Sequence, residues 1–192
     1  MIIALANRKG GVGKTTSSVY LAAVLRDSGR DVLLIDTDPE AGAKKMADAG
    51  LLPYPVEQAD LRSISGIVKG WDGDVVIDTP PNDGEIIYKA AGLADEVIVP
   101  IAATGYDLSR LTDTLLILAD VEEMRNRALT RVLLTRMQSG KLIAREVLQE
   151  LEEREVPMFK QHIRYLTRYE GFTTPEFLDE YRNVYEEVRA DL

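Results

Sequence analysis

Between an apolar opening run, Ile2–Asn7, and a helix-forming stretch stands Arg8-Lys9-Gly10-Gly11-Val12-Gly13-Lys14-Thr15-Thr16. Glycines, lysines and hydroxyls packed this closely suit one kind of partner, a chain of phosphates. The glycines let the backbone take conformations closed to other residues, and they let anionic oxygens come close. Backbone N–H groups and the start of the following helix then surround those oxygens. In a loop of this kind Lys14 reaches the β- and γ-phosphates of a nucleotide, and the Thr15 hydroxyl binds Mg²⁺. The common form, GxxxxGK[ST], has glycine where this chain has Arg8, so the loop is a variant.

A phosphate loop needs acids to hold magnesium and to place water. Asp36 and Asp38 lie in IDTDPEA, and Asp78 lies in VVIDTPP, each at the end of a short apolar run. If those runs are parallel strands, all three carboxylates meet at the carboxyl edge, where open α/β sheets bind ligands. Asp-Pro and Asp-Thr-Pro-Pro are also ordinary turn chemistry. Their order after the loop favours a role in the site.

The elements that must position these residues follow from the apolar pattern. Ile2–Asn7, Val32–Asp36, Asp74–Asp78, Glu96–Ile101 and Arg131–Thr135 read as buried strands, with Val156–Phe159 as a final one. Helices are expected over Lys14–Ser28, Ala41–Ala49, Leu61–Lys69, Glu85–Gly92, Asp107–Arg127, Leu142–Glu153 and Pro175–Ala190, around a Pro-interrupted stretch at Leu52–Val56. Strands alternating with helices imply parallel βαβ units, hence a single doubly wound α/β domain with a mostly parallel sheet, residues 1–192.

Composition narrows the chemistry. The chain has 192 residues, 23 Lys and Arg against 32 Asp and Glu, a net charge of −9 and no cysteine. Thiolate zinc sites, Cys-ligated clusters and disulfides are therefore excluded. The one histidine, His162, excludes a multi-His metal site and is expected to be an ordinary surface or half-buried residue. Trp71 is expected to pack at a strand entrance. No run approaches the length of a membrane span, which points to a cytosolic protein.

The segment KGGVGKTT resembles the deviant Walker A motif of the ParA/MinD superfamily of ATPases. The resemblance implies a P-loop fold, ATP and Mg²⁺ as ligands, and ATP hydrolysis that is weak until a partner stimulates it. It implies that Lys9 crosses a homodimer interface to the phosphates held by the other subunit. Gly10, Gly11, Val12, Gly13, Lys14, Thr15 and Thr16 would bind nucleotide, Asp38 would position the attacking water, and Thr15 and Asp78 would serve Mg²⁺. Asp36 would support the loop. Glu40 stands where the family has glutamine, and so places an extra carboxylate near the site.

The similarity continues through IVPIAATGYDLSRLTDTLLIL, although Ala102 and Ala103 replace the family's usual polar-proline pair. RVLLTR, KLIAREVLQEL and VPMFKQHIRYLTRYEGFTTPEF are similar to the small ParF-like plasmid-partition ATPases, which lack a separate N-terminal DNA-binding domain. In that branch late loops contact the base, and Arg136 is the candidate here. The resemblance further implies nonspecific DNA binding in the ATP-bound dimer, nucleoid association and a ParB-like adaptor that stimulates hydrolysis. The basic residues available for DNA are Lys141, Arg145, Lys160, Arg164 and Arg168, the last two sharing a face if that segment is helical. The end of the chain, EFLDEYRNVYEEVRADL, is acidic and unlike the basic membrane helix of MinD-like relatives. Two other roles remain open: positioning of a protein cargo such as a carboxysome or chemoreceptor cluster, and ATP-coupled ligase chemistry.

Overall fold

The structure is a computed structural model that describes residues 1–103, 108–126, 130–138, 142–169, 173–176 and 178–191. In chain order the elements are β1 (Ile2–Leu5), α1 (Lys14–Asp27), β2 (Val32–Asp36), α2 (Gly42–Asp48), β3 (Val56–Gln58), α3 (Ile64–Gly70) and β4 (Asp74–Asp78). There follow α4 (Gly84–Leu93), β5 (Glu96–Ala102), α5 (Leu108–Arg125), β6 (Thr130–Thr135), α6 (Leu142–Glu153), a 3-10 turn at Thr167–Tyr169 and α7 (Asp179–Asp191). The six strands form one parallel sheet in the order β3-β2-β4-β1-β5-β6.

Strand alternation splits the core into two layers. Ile3, Leu5, Leu34, Val76, Ile98 and Leu133 face α1 and α7, where Leu21, Leu25, Tyr181, Val184 and Val188 meet them. Ala4, Leu33, Ile35, Val75, Ile77, Val97 and Val132 face the other way, onto α3, α4, α5 and α6. Continuous apolar runs in the central strands are the consequence of this two-sided burial. The doubly wound α/β reading therefore holds.

Beyond shifts of one or two residues at their ends, four elements differ from the sequence expectation. The Pro-interrupted stretch ends in a short edge strand, β3, whose Val56 lies in register with Leu34. Glu57 and Gln58 are exposed there, so no apolar alternation announces it.

Val156–Phe159 is not a strand. It makes a single parallel bridge, Val132 with Met158. Pro157 has no N–H to offer, and the N–H groups of Lys160 and Gln161 turn to the Glu187 carboxylate on α7 at 2.9 and 2.8 Å. The ladder beside β6 is thus diverted after a few bonds.

The last helix begins at Asp179 rather than Pro175. At the front of α3, Asp60 accepts the N–H groups of Arg62 and Ser63 and holds a turn, which delays that helix to Ile64. The ends of the long helix expected over Asp107–Arg127 lie outside the described residues.

Candidate nucleotide-binding site

The loop between β1 and α1 turns on two glycines in the left-handed region, Gly11 at φ 73° and Gly13 at φ 93°. A side chain at either position would strain the backbone, which is the physical reason for glycine there. Asn7, buried at the end of β1, fixes the entry: its Oδ1 accepts the Lys9 N–H at 2.8 Å. Its Nδ2 donates to the Pro100 carbonyl on β5 at 2.8 Å.

Arg8 ties the start of the loop to neighbouring elements. Its N–H donates to Thr114 Oγ1 on α5 at 3.2 Å, and its carbonyl accepts the Asn82 N–H at 3.1 Å. Both are main-chain bonds that glycine could also make, and what the arginine adds is an ion pair with Asp113 on α5 at 3.4 Å.

Lys14 opens α1 and is buried, with 7% of its surface exposed. Its Nζ donates to the Lys9 carbonyl at 3.1 Å. Burial pulls its pKa down, opposed by the charges of Asp78 and Asp38. A buried ammonium beside a glycine loop at the start of a helix is a receptor for anionic oxygens. Lys9 is half-buried in the same loop.

The three aspartates meet at the carboxyl edge of the sheet as expected, since Asp36 and Asp78 are directly paired in register on β2 and β4. Asp36 is fully buried, and its oxygens accept the N–H groups of Asp38 and Lys44, each at 3.0 Å. It stitches the β2–α2 loop to the front of α2, rather than bonding the phosphate loop. Burial raises its pKa against those N–H bonds.

Asp38 is half-exposed, and its Oδ1 accepts the Glu40 N–H at 2.9 Å. The Glu40 side chain itself is exposed and lines an open cleft beside the site. Asp78 is fully buried; its Oδ1 accepts the Ser18 hydroxyl at 3.1 Å, and its Oδ2 has no partner. Burial pushes its pKa up to about 7, against the nearby Thr15 and Ser18 hydroxyls and Lys14, with the Asp36 charge adding to the rise. An orphaned carboxylate oxygen beside Thr15 is a donor set that fits a hydrated divalent cation.

Sequence reasoning missed Thr135. From the end of β6 its hydroxyl bridges the Val12 and Ile101 carbonyls, at 2.8 and 3.2 Å, and so fastens the back of the loop. Its methyl and hydroxyl also face Gly13, where a Cβ would lie 3.7 Å from Oγ1.

Beyond Thr135 the chain closes a cavity of about 240 Å³ against Gly13 and Thr16. Arg136, Ile163, Arg164, Tyr165, Leu166 and Tyr169 line its far side. Arg136, the base-contact candidate, is thus brought beside the loop.

The helix that would place Arg164 and Arg168 on one face is not formed at Arg164. Arg164 lies in irregular chain, bridged to Met137, and its guanidinium is paired with Glu180. Among the described residues nearby only Thr167–Tyr169 is helical, a single 3-10 turn, and the side chain of Arg168 lies outside them. Arg145 and Lys160 are exposed on different elements, and Lys141 also lies outside the described residues. His162 is half-buried, and burial lowers its pKa against the Glu187 charge. Trp71 packs on the α3 side of the core, at the entrance to β4.

Residues 3–171 match the family model of the CobQ/CobB/MinD/ParA nucleotide-binding domain, and the chain belongs to that family. Among its relatives, the maintenance of carboxysome distribution protein A of Gloeobacter kilaueensis is 32% identical over 211 residues, covering 99% of this chain and 94% of that protein. The chromosome-partitioning ATPase Soj of Thermus thermophilus is 30% identical over 188 residues, covering 78% of this chain and 74% of its own. The solved fold of cobyrinic acid a,c-diamide synthase from Mycobacterium smegmatis, with an ATP analogue and magnesium bound, superposes with a TM-score of 0.75. It is 22% identical, and the match covers 98% of this chain and 93% of that one.

Proposed function

We propose that the protein is a ParA-type ATPase, a nucleotide-driven switch that segregates DNA. The observation that carries this reading is the buried Lys14, set in a glycine loop and facing the strand-end carboxylates Asp38 and Asp78. Lys14 and the loop N–H groups take the phosphates, and Thr15 and Asp78 hold Mg²⁺ through the free Asp78 oxygen. When bound, the ion would supply positive charge that offsets the charge of the phosphates. Asp38 orients the water that attacks the γ-phosphate. Thr16, Gly13 and Arg136 bound the nucleoside. With no strong general base in the loop, turnover is slow until a partner acts.

In this reading ATP drives homodimerisation, with Lys9 of each subunit reaching the other's phosphates. The dimer holds nonspecific DNA, and a ParB-like adaptor releases it by stimulating hydrolysis. A second reading keeps the switch and changes the cargo to a protein assembly. The end-to-end similarity to a carboxysome distribution protein favours that alternative. Ligase chemistry on a carboxylate substrate is disfavoured by the cleft beside the site. Its rim carries Asp38, Glu40, Asp83, Glu85 and Asp120 against one Lys89, a field that repels such a substrate.

The test is binding of the purified protein to random-sequence duplex DNA in ATP and in ADP, across a salt series. Binding in ATP alone that weakens steeply with salt is the expected result, and Lys14→Ala should lose both it and the ATP-dependent dimer. A dimer in ATP with no DNA binding would shift the cargo to protein. An unchanged dimer fraction in Lys14→Ala would remove Lys14 from the switch.

A further inference from the structure

The cavity beside the phosphate loop has a wall made of irregular chain, and such a wall needs something to fix it. From Ile163 to Tyr165 the chain runs beside Met137: the Met137 N–H donates to the Ile163 carbonyl and the Tyr165 N–H to the Met137 carbonyl, both at 2.9 Å. In extended chain successive N–H groups point to opposite sides, so the Arg164 N–H faces away from Met137 and needs another acceptor. It finds Glu180 Oε2 at 3.2 Å.

Glu180 belongs to the first turn of α7 and is 6% exposed. The same carboxylate accepts the Arg164 Nε–H and, at 3.0 Å, the Tyr169 hydroxyl. Tyr169 then stands edge-on to Tyr20 and Tyr181, with ring centres 4.9 and 5.7 Å away. Tyr181 in turn shares a hydrogen bond of 3.1 Å with Ser17, which follows Thr16 in α1. Glu180 does not itself line the cavity, yet it joins both ends of the wall, Arg164 and Tyr169, to the helix behind them.

We propose that Glu180 is a positioning residue for the nucleoside half of the bound nucleotide, holding the Ile163–Tyr169 wall at a fixed distance from the phosphate loop. This rests on the nucleotide-site reading above. The phosphate half is built by other residues, Lys14 and the loop glycines, which Glu180 does not touch. Its effect must therefore appear in the nucleoside and not in the phosphates. Removing it leaves three donors without their acceptor, which loosens the wall.

The experiment compares the Kd of ATP with that of inorganic tripolyphosphate, each with Mg²⁺, by calorimetry on wild type and Glu180→Ala. ATP binding should weaken about tenfold in the variant, and tripolyphosphate binding should stay within about twofold, since lost pairing in the wall reaches only the nucleoside. Glu180→Gln keeps an acceptor for the N–H and the tyrosine, and should recover part of the ATP affinity. Unchanged ATP affinity in Glu180→Ala would overturn the proposal. So would an equal loss for both ligands, which marks a structural role only. If Glu180→Ala does not fold, Tyr169→Phe removes one donor and keeps the ring. It should weaken ATP about threefold and leave tripolyphosphate alone, and no difference between the ligands would overturn the proposal. A wild type that binds ATP no more tightly than tripolyphosphate would instead sink the nucleoside cavity, and one that binds neither would sink the nucleotide site.

Discussion

Thr135 is a single hydroxyl that fixes the rear of the phosphate loop, because the Val12 carbonyl it satisfies is buried and has no water to turn to. Thr135→Val keeps the shape and removes that bond. One such bond is worth about 1 kcal/mol, so nucleotide affinity should fall about fivefold in calorimetry while the fold persists. Asp38 makes the opposite prediction. It is half-exposed and its carboxylate supports only the local turn, so Asp38→Ala should fold and bind ATP. Its hydrolysis should fall by about two orders of magnitude, leaving the ATP-bound dimer trapped, as chromatography in ATP would show. Wild-type turnover in that variant would reject Asp38 as the residue that places water. Lys14, Asp38 and Asp78 were legible because residue type and order suffice for a phosphate loop and its acids. Thr135 was not, since it reaches the loop from 123 residues away along the chain.

Elements meet under steric terms that periodicity cannot express. Gly73 sits between Trp71 and β4, where a Cβ would lie 2.3 Å from the Asp31 carbonyl oxygen and 2.7 Å from Trp71 Nε1. Gly73→Ala must push the α3–β4 connection off the start of β2. Overpacking of this kind costs about 1–3 kcal/mol, which should appear as a drop of several degrees in Tm with nucleotide binding retained. The edge of the sheet shows the same limit. Val156–Phe159 has the composition of a strand, but Pro157 and the pull of Glu187 on the next two N–H groups end the ladder. At the opposite edge β3 forms with a single apolar residue, because β2 offers unpaired backbone there. Both outcomes depend on which partner is near, and the local sequence carries no record of that.

Across the whole molecule, chemistry and fastening occupy opposite ends of the sheet. The loop, Asp36, Asp38 and Asp78 lie at the carboxyl ends of the strands. Buried Asp74 lies at the amino end of β4, where Arg30 Nη2 donates to it at 2.7 Å and the Met1 ammonium at 3.0 Å. Burial alone would raise the Asp74 pKa, but these cations outweigh it and hold the carboxyl below its usual 3.8. The folded state therefore binds the proton less readily than the unfolded chain. The stabilisation is complete above about pH 4 and is lost as pH falls through the lower folded value. Asp74→Asn should cost about 1–2 kcal/mol in urea unfolding at pH 7 and flatten the acid limb of stability, with ATP affinity unchanged because the site is at the other edge. The sequence by itself determined the alternation of strand and helix, the parallel sheet and the loop with its three aspartates. Those follow from burial periodicity and from the order along the chain of a glycine–lysine loop and the strand-end acids after it. Only the tertiary structure decided that Arg164 belongs to Glu180 rather than to an open basic face, that Thr135 backs the loop, and that a cavity of about 240 Å³ stands next to Arg136. Each of these is a contact between segments far apart in the chain, and its energy depends on distances that exist only once the sheet has formed.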